Sequence, residues 1–297
     1  MRIVFNTSFD EGVRAVNRAA EAMAEAQRQV SSGRRMARAS DDPLGAASAI
    51  NDHAALGRLD SYASAADAAA YRLSIIDSAL SDVISQLTAA QSTTVSARGS
   101  SRTQADRDAA SHQILAIRDA LQSDVNTKFE NAYLFSGSRV DRPAYQTVAS
   151  AISPYQGDAN ATRIQTEPGR SVTSTLDGGG IFQGSDPQHI LDALTQLAAD
   201  ITAGNDPGIQ AGVDAISRTF DRATAAQAEV GNDLRVLEDG RARTANNKVG
   251  VTARLASVED ADLVQAAAAL SQSETAYRAA LGSVATVGRI SLMDYLK

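Results

Sequence analysis

Residues 66–97 read ADAAAYRLSIIDSALSDVISQLTAAQSTTVSA, and the spacing within them decides the architecture. Ala66, Ala69, Leu73, Ile76, Leu80, Val83, Leu87, Ala90, Thr94 and Ala97 follow one another in alternating steps of three and four, and all but Thr94 are apolar. The chain as a whole is only 43% hydrophobic, so this run is far from a random draw. It is the seam of a and d positions expected at the 3.5-residue period of a coiled coil. Ala dominates the apolar set, while aromatics make up only 4% and Trp is absent. That palette favours long, thin helical packing over a thick core filled with large rings.

The same register recurs on either side. Val213, Ile216, Phe220, Ala223, Gln227, Val230, Leu234 and Leu237 form a second seam, interrupted at Arg241, Thr244 and Lys248 and resumed at Val251, Leu255 and Val258. Gly240 and Gly250 bracket the interruption and predict a weak point or bend there. A helix over 209–239 alone would be about 45 Å long at 1.5 Å per residue. Shorter seams run through Val13, Val16, Ala20, Met23, Gln27 and Val30, and through Ala110, Ile114, Ile117 and Leu121. Leu263, Leu270, Tyr277 and Val284 repeat every seven residues, with Leu281 near the end of the series. Such stripes also occur in ordinary helical bundles. Their narrowness and their reach to both termini favour a rod or an assembly subunit.

From Tyr133 to Gly184 the helical period disappears, and Gly, Pro, Ser and Thr take over. Thr162–Thr166 and Ser171–Thr175 suit short strands, with Gly157, Pro168, Gly169 and Gly178–Gly180 as turn residues. Asp186-Pro187 is the expected N-cap where helix resumes. The topology predicted is helices out, a β tip, and helices back.

Composition removes whole classes of function. With 28 Lys and Arg against 35 Asp and Glu, the net charge of −7 argues against a nucleic-acid surface. The chain has no Cys, which excludes disulfides, zinc–thiolate sites, iron–sulfur clusters and a Cys nucleophile. His53, His112 and His189 stand far apart and read as three unrelated helix-surface residues. No stretch approaches the roughly 18 to 20 apolar residues of a membrane span. Asp10 and Glu11 fall where a signal peptide needs its apolar segment. Gly178-Gly179-Gly180 is followed by Ile181-Phe182 rather than by a Lys-Ser or Lys-Thr pair, so it reads as a tight turn and not a phosphate loop. Asp42 before Pro43 reads as a helix N-cap, and Glu259, Asp260 and Asp262 as a solvated helical turn. Arg34, Arg35 and Arg38 form the one dense basic cluster, read as a solvated segment or a contact for an acidic partner. No Gly-x-Ser-x-Gly elbow occurs, and the residues predict no catalytic, cofactor or metal site.

The stretch 29–46, QVSSGRRMARASDDPLGA, resembles the N-terminal signature of the bacterial flagellin superfamily. Val258-Glu259-Asp260-Ala261-Asp262 and the C-terminal heptads resemble that superfamily's C-terminal region. Met1-Arg2-Ile3, Tyr133-Leu134-Phe135-Ser136-Gly137-Ser138, Tyr155-Gln156-Gly157-Asp158, Gly180-Ile181-Phe182 and the closing Ser291–Leu296 are similar to its hook-associated protein 3 family. The resemblance implies a mainly α, elongated flagellin-like rod of long coiled-coil helices from both termini with a small inserted β domain. On this reading 1–44 and 256–297 form a terminal coiled-coil domain lining an inner tube, 45–137 and 185–255 a helical rod, and 138–184 the β domain. It implies a structural junction adaptor between the hook and the filament, with no enzymatic activity. Implied partners are further copies in a ring, hook-associated protein 1, flagellin and a cytoplasmic export chaperone, with no nucleic acid and no membrane insertion. Implied too is export through the flagellar type III apparatus without a cleaved signal peptide, to the hook–filament junction outside the cell. The assembly seam would then use Val13, Val16, Met23, Val30, Leu73, Ile76, Leu80, Val83, Leu87, Val213, Ile216, Phe220, Val230, Leu234, Leu237, Leu263, Leu270, Tyr277, Leu281 and Val284. A filament-forming flagellin and a cytoplasmic coiled-coil protein are the alternative readings.

Overall fold

The computed structural model describes residues 2–36, 38–99, 103–148 and 151–295, with side chains within 9–286. Met1, Ala37 of the 29–46 signature and the closing Leu296 lie outside the described residues. The fold is mainly α. Its long helices are α1 (Arg2–Ser32), α2 (Pro43–Ala97), α3 (Gln104–Val125), α6 (Asp206–Glu259) and α7 (Leu263–Tyr295). Between α3 and α6 lie β1 (Lys128–Phe129), β2 (Ala132–Tyr133), β3 (Thr147–Val148), β4 (Ala151–Ile152), β5 (Arg163–Glu167), β6 (Arg170–Thr173), α4 (Gly178–Phe182) and α5 (Ile190–Ala203). The chain divides into two compact units, 60–245 and the paired segments 1–59 and 246–297, so α2 and α6 contribute to both.

Within 60–245, the 66–97 seam becomes the spine of the core. Leu73, Ile76, Leu80, Val83 and Leu87 have no exposed surface. Ile114, Leu121 and Val125 of α3, Leu191, Leu194 and Ile201 of α5, and Ile216, Ala223, Val230 and Leu237 of α6 join them in one cluster. Local signals set the helix ends. Thr103 and Asp106 form a reciprocal capping box at the start of α3, and Gly204 closes α5 in the left-handed region at φ 67°.

The β region starts at Lys128, earlier than the loss of helical period suggests, and among the described residues it forms three separate antiparallel hairpins. β5 and β6 turn through Pro168-Gly169, with Gly169 at φ 75°. The few large rings are concentrated here. Phe135, Tyr145 and Phe182 are fully buried, and the Phe135 and Phe182 rings meet edge to face at 5.6 Å.

Three expectations are corrected. Gly178–Gly180 are not a tight turn but the start of α4, and a Cβ on Gly178 would stand 2.5 Å from the Phe135 carbonyl oxygen. Close approach explains these glycines, not a reversal of direction. Asp186 does not cap a helix. It pairs with Arg218 at 2.8 Å and Arg222 at 3.0 Å, and His189 caps α5 instead. His189 is therefore buried rather than on a helix surface. The helix α6 runs unbroken through Gly240 and Gly250. At Gly240 a Cβ would come within 2.5 Å of Glu167 Oε1, and Glu167 also pairs with Arg243 at 3.0 Å. The glycine makes room for the β5–β6 turn lying on the helix.

Candidate assembly interface

The unit formed by 1–59 and 246–297 carries both resemblance signatures, and the structure ties them together. α1 stops at Ser32 because Gly33 takes φ 69°, where its N–H donates to the Gln29 carbonyl at 2.9 Å. The irregular segment that follows crosses the end of α6. The Arg35 N–H donates to the Glu259 carbonyl at 2.7 Å, and the Ala261 N–H donates to the Gly33 carbonyl at 2.9 Å. Arg35 also reaches across with its side chain. Its Nε and Nη2 donate to the Val258 carbonyl at 3.2 and 3.0 Å, and Nη2 donates to Asp42 Oδ2 at 3.1 Å. One guanidinium thus satisfies an orphan carbonyl near the end of α6 and grips the cap of α2.

Asp42 fills the capping role that its place before Pro43 predicts. Its Oδ1 accepts from the Gly45 N–H at 2.9 Å. That bond, with Arg35 behind it, holds the carboxyl below the ordinary carboxylate range. At the start of α7 the Asp262 carboxylate likewise caps the helix, accepting from the Val264 and Gln265 N–H groups at 2.9 and 3.1 Å. Deeper in the unit, Asp52 takes a forked grip from Arg254, with Nε to Oδ1 at 3.1 Å and Nη2 to Oδ1 at 2.6 Å. Arg254 pushes the Asp52 carboxyl down. Beside it, His53 Nε2 lies 2.8 Å from Glu259 Oε1.

These contacts correct two sequence readings. Arg34 and Arg35 are not simply solvated, and Glu259 is not on a free helical turn. They form the knot joining the N-terminal and C-terminal signatures. Segments 200 residues apart supply its halves, so neither half announces the other in the sequence.

The α1–α7 pair is a different surface. The helices come close at Gly12, where a Cβ would stand 2.8 Å from Val284 Cγ2. Yet among the described residues only Ala26 of α1 and Ala266 of α7 are buried. Val16, Met23, Leu270, Tyr277 and Val284 are half-buried, while Val13, Val30, Leu263 and Leu281 are exposed. Phe9 at 39% and Val264 at 80% are exposed as well. The seam residues outside this pair have another fate. Leu73, Ile76, Leu80, Val83, Leu87, Ile216, Val230 and Leu237 lie inside the chain's own core, and Val213, Phe220 and Leu234 are half-buried. Those side chains are spent within one copy.

No described helix is long and apolar enough to cross a membrane. Residues 6–140 match the family described as the bacterial flagellin N-terminal helical region. The flagellar hook-associated protein 3 of Escherichia coli K12 is 23% identical across the full length of both chains. Its Salmonella typhimurium counterpart is 24% identical over 88% of this chain and 89% of its own. A solved structure from Vibrio parahaemolyticus, described as that of a flagellar hook-associated protein, superposes with a TM-score of 0.70 at 20% identity, covering 74% of this chain and 100% of its own. FlgL of Xanthomonas campestris follows at TM-score 0.62 and 15% identity, over 69% of this chain and 99% of its own. Both terminal signatures, the relatives matched over most or all of their length, and the fold agree in likening the chain to flagellar hook-associated protein 3 and, over residues 6–140, to the bacterial flagellin N-terminal helical region.

Proposed function

We propose that the protein is the adaptor joining the hook, through hook-associated protein 1, to the flagellin filament. The observation that carries this reading is the uneven burial of apolar surface. The 60–245 unit closes a full core of its own, whereas α1 and α7 pair while leaving Phe9, Val13, Val30, Leu263, Val264 and Leu281 exposed. Helices that hold apolar side chains in water are suited to bury them against neighbouring copies. Repetition around a closed ring then adds many modest contacts into a stable layer. The paired termini supply the apolar faces that meet neighbouring copies. Further copies, hook-associated protein 1 and flagellin are the assembly partners. Before assembly an export chaperone covers the C-terminal helix, and the chain leaves the cell through the flagellar type III apparatus without a cleaved signal peptide.

A strain lacking the protein tests this. It should build hooks, release flagellin into the medium and carry no filaments. Normal filaments on those hooks would overturn the junction role, and loss of flagellin synthesis would point to a regulatory protein instead.

A further inference from the structure

His189 is 4% exposed and sits at the N-cap of α5 with extended backbone angles, φ −73° and ψ 160°. Its Nδ1 accepts from the Asp192 N–H at 3.3 Å, and its Nε2 lies 3.1 Å from Asp192 Oδ2. Both contacts fit one form of the ring. A neutral imidazole protonated on Nε2 offers a lone pair at Nδ1 to the helix and a proton to the carboxylate. It works as an N-cap in which histidine replaces the usual hydroxyl.

The ring also supports the β3–β4 hairpin. The Tyr145 ring packs on His189 with centroids 4.8 Å apart, and Tyr155 packs on Tyr145 at 5.7 Å. These two tyrosines are the feet of the hairpin, closed by the Gln156 N–H donating to the Ala144 carbonyl at 2.9 Å. Asn126, just past α3, holds the first foot from the other side. Its Nδ2 donates to the Tyr145 carbonyl at 2.7 Å, and its Oδ1 accepts from the Tyr145 N–H at 3.2 Å.

We infer that His189 is a proton-sensitive latch, which in neutral form caps α5 and seats the β3–β4 hairpin and on taking up a proton releases both. A proton on Nδ1 removes the acceptor that the Asp192 N–H needs, and it puts a charge into a pocket walled by tyrosine rings. The charged and titratable groups facing the ring and its Tyr145 neighbour are Asp192 of α5, Tyr155 of the hairpin, Asp177 before α4 and Arg222 of α6. Arg222 is already paired with Asp186. Burial pushes the His189 pKa down and outweighs the opposing pull of Asp192 and the Ser153 backbone. A group depressed on folding gives stability that is complete above its unfolded value, near 6.5, and lost as pH falls below it. Release therefore belongs to mildly acidic conditions, and the apolar seam of α2 should not share in it.

Hydrogen exchange of the full chain at pH 7.5 and pH 5.0, corrected for intrinsic rates, tests the latch. Segments 144–148, 151–156 and 189–194 should lose protection by about tenfold at the lower pH, while 73–87 keeps its own. His189→Asn supplies a cap that does not titrate and should make these segments insensitive to pH in this range. Wild-type protection that does not change with pH, or a variant that keeps the wild-type dependence, overturns the proposal. Should the variant fail to fold, imidazole NMR of the wild-type chain decides. An Nε2-protonated neutral ring at pH 7 with a midpoint below 6.5 supports the latch. An Nδ1-protonated ring, or a midpoint at or above that value, refutes it.

Discussion

Replacing Leu281 with Asp separates a residue that serves the chain from one that serves the assembly. Leu281 is 44% exposed on α7. Full burial of a leucine contributes about 1.5–3 kcal/mol, so about 1 kcal/mol is still unrealised at this position in a single copy. Phe9, Val13, Val30, Leu263, Val264 and Leu281 have exposures between 37% and 80%. Together they hold about 6 kcal/mol of unrealised apolar burial per copy, before the cost of association is subtracted. An aspartate at 281 forfeits the leucine's share and asks a neighbouring copy to strip water from a carboxylate, at several kcal/mol per ion. In the free chain the same carboxylate stays in water, so the loss there is only about 1 kcal/mol. The assay pairs urea unfolding of the purified variant with secretion and filament counts in a complemented strain. A near-normal unfolding curve, normal secretion and missing filaments are expected. Normal filaments with normal secretion would refute the placement of this face in the assembly.

Three further substitutions probe other levels of the structure. Leu80→Ala, in a fully buried position, should destabilise the 60–245 unit by about 3 kcal/mol with an unchanged denaturant slope; a loss under about 1 kcal/mol would show that the core does not centre on this seam. Gly33→Ala isolates backbone strain, because Gly33 sits at φ 69° and an added Cβ meets nothing within 4 Å. Its expected cost is about 1–2 kcal/mol in thermal unfolding, and no cost would mean that the segment after α1 relaxes freely. Arg254→Gln tests the grip on Asp52, whose carboxyl is held below its ordinary value. The stability this gives is present above about pH 3.9 and lost as pH falls through that value and the lower folded one. The variant should therefore be less stable than wild type at pH 7, with a deficit that shrinks as pH falls below about 3.9, and a deficit that does not shrink there would contradict the pairing.

The features legible in the sequence are those written by local periodicity and local punctuation. Ten seam positions in 66–97 announced α2, and Asp42-Pro43 and Pro168-Gly169 marked a real start and a real turn. What escaped depends on residues distant in the chain. Gly178 read as part of a tight turn and Gly240 as the edge of a weak point or bend, because a glycine carries no sign of the group pressed against it, here the Phe135 carbonyl and Glu167. Asp186-Pro187 had the form of a cap, but Arg218 and Arg222 claim the carboxylate. Arg35 and Glu259 read as solvated because their partners lie more than two hundred residues away. The seam itself showed which side chains were apolar without showing which of them one copy would use. Leu73 and Leu281 have equal standing in the heptad pattern, and only packing distinguishes the first, fully buried, from the second.

The junction role is tested most directly by immunogold electron microscopy of intact cells, with antibody raised against residues 138–184. Label confined to a single site where hook meets filament is the expected result. Label along the whole filament would make the chain a flagellin, and label found only inside the cell would contradict the assignment altogether.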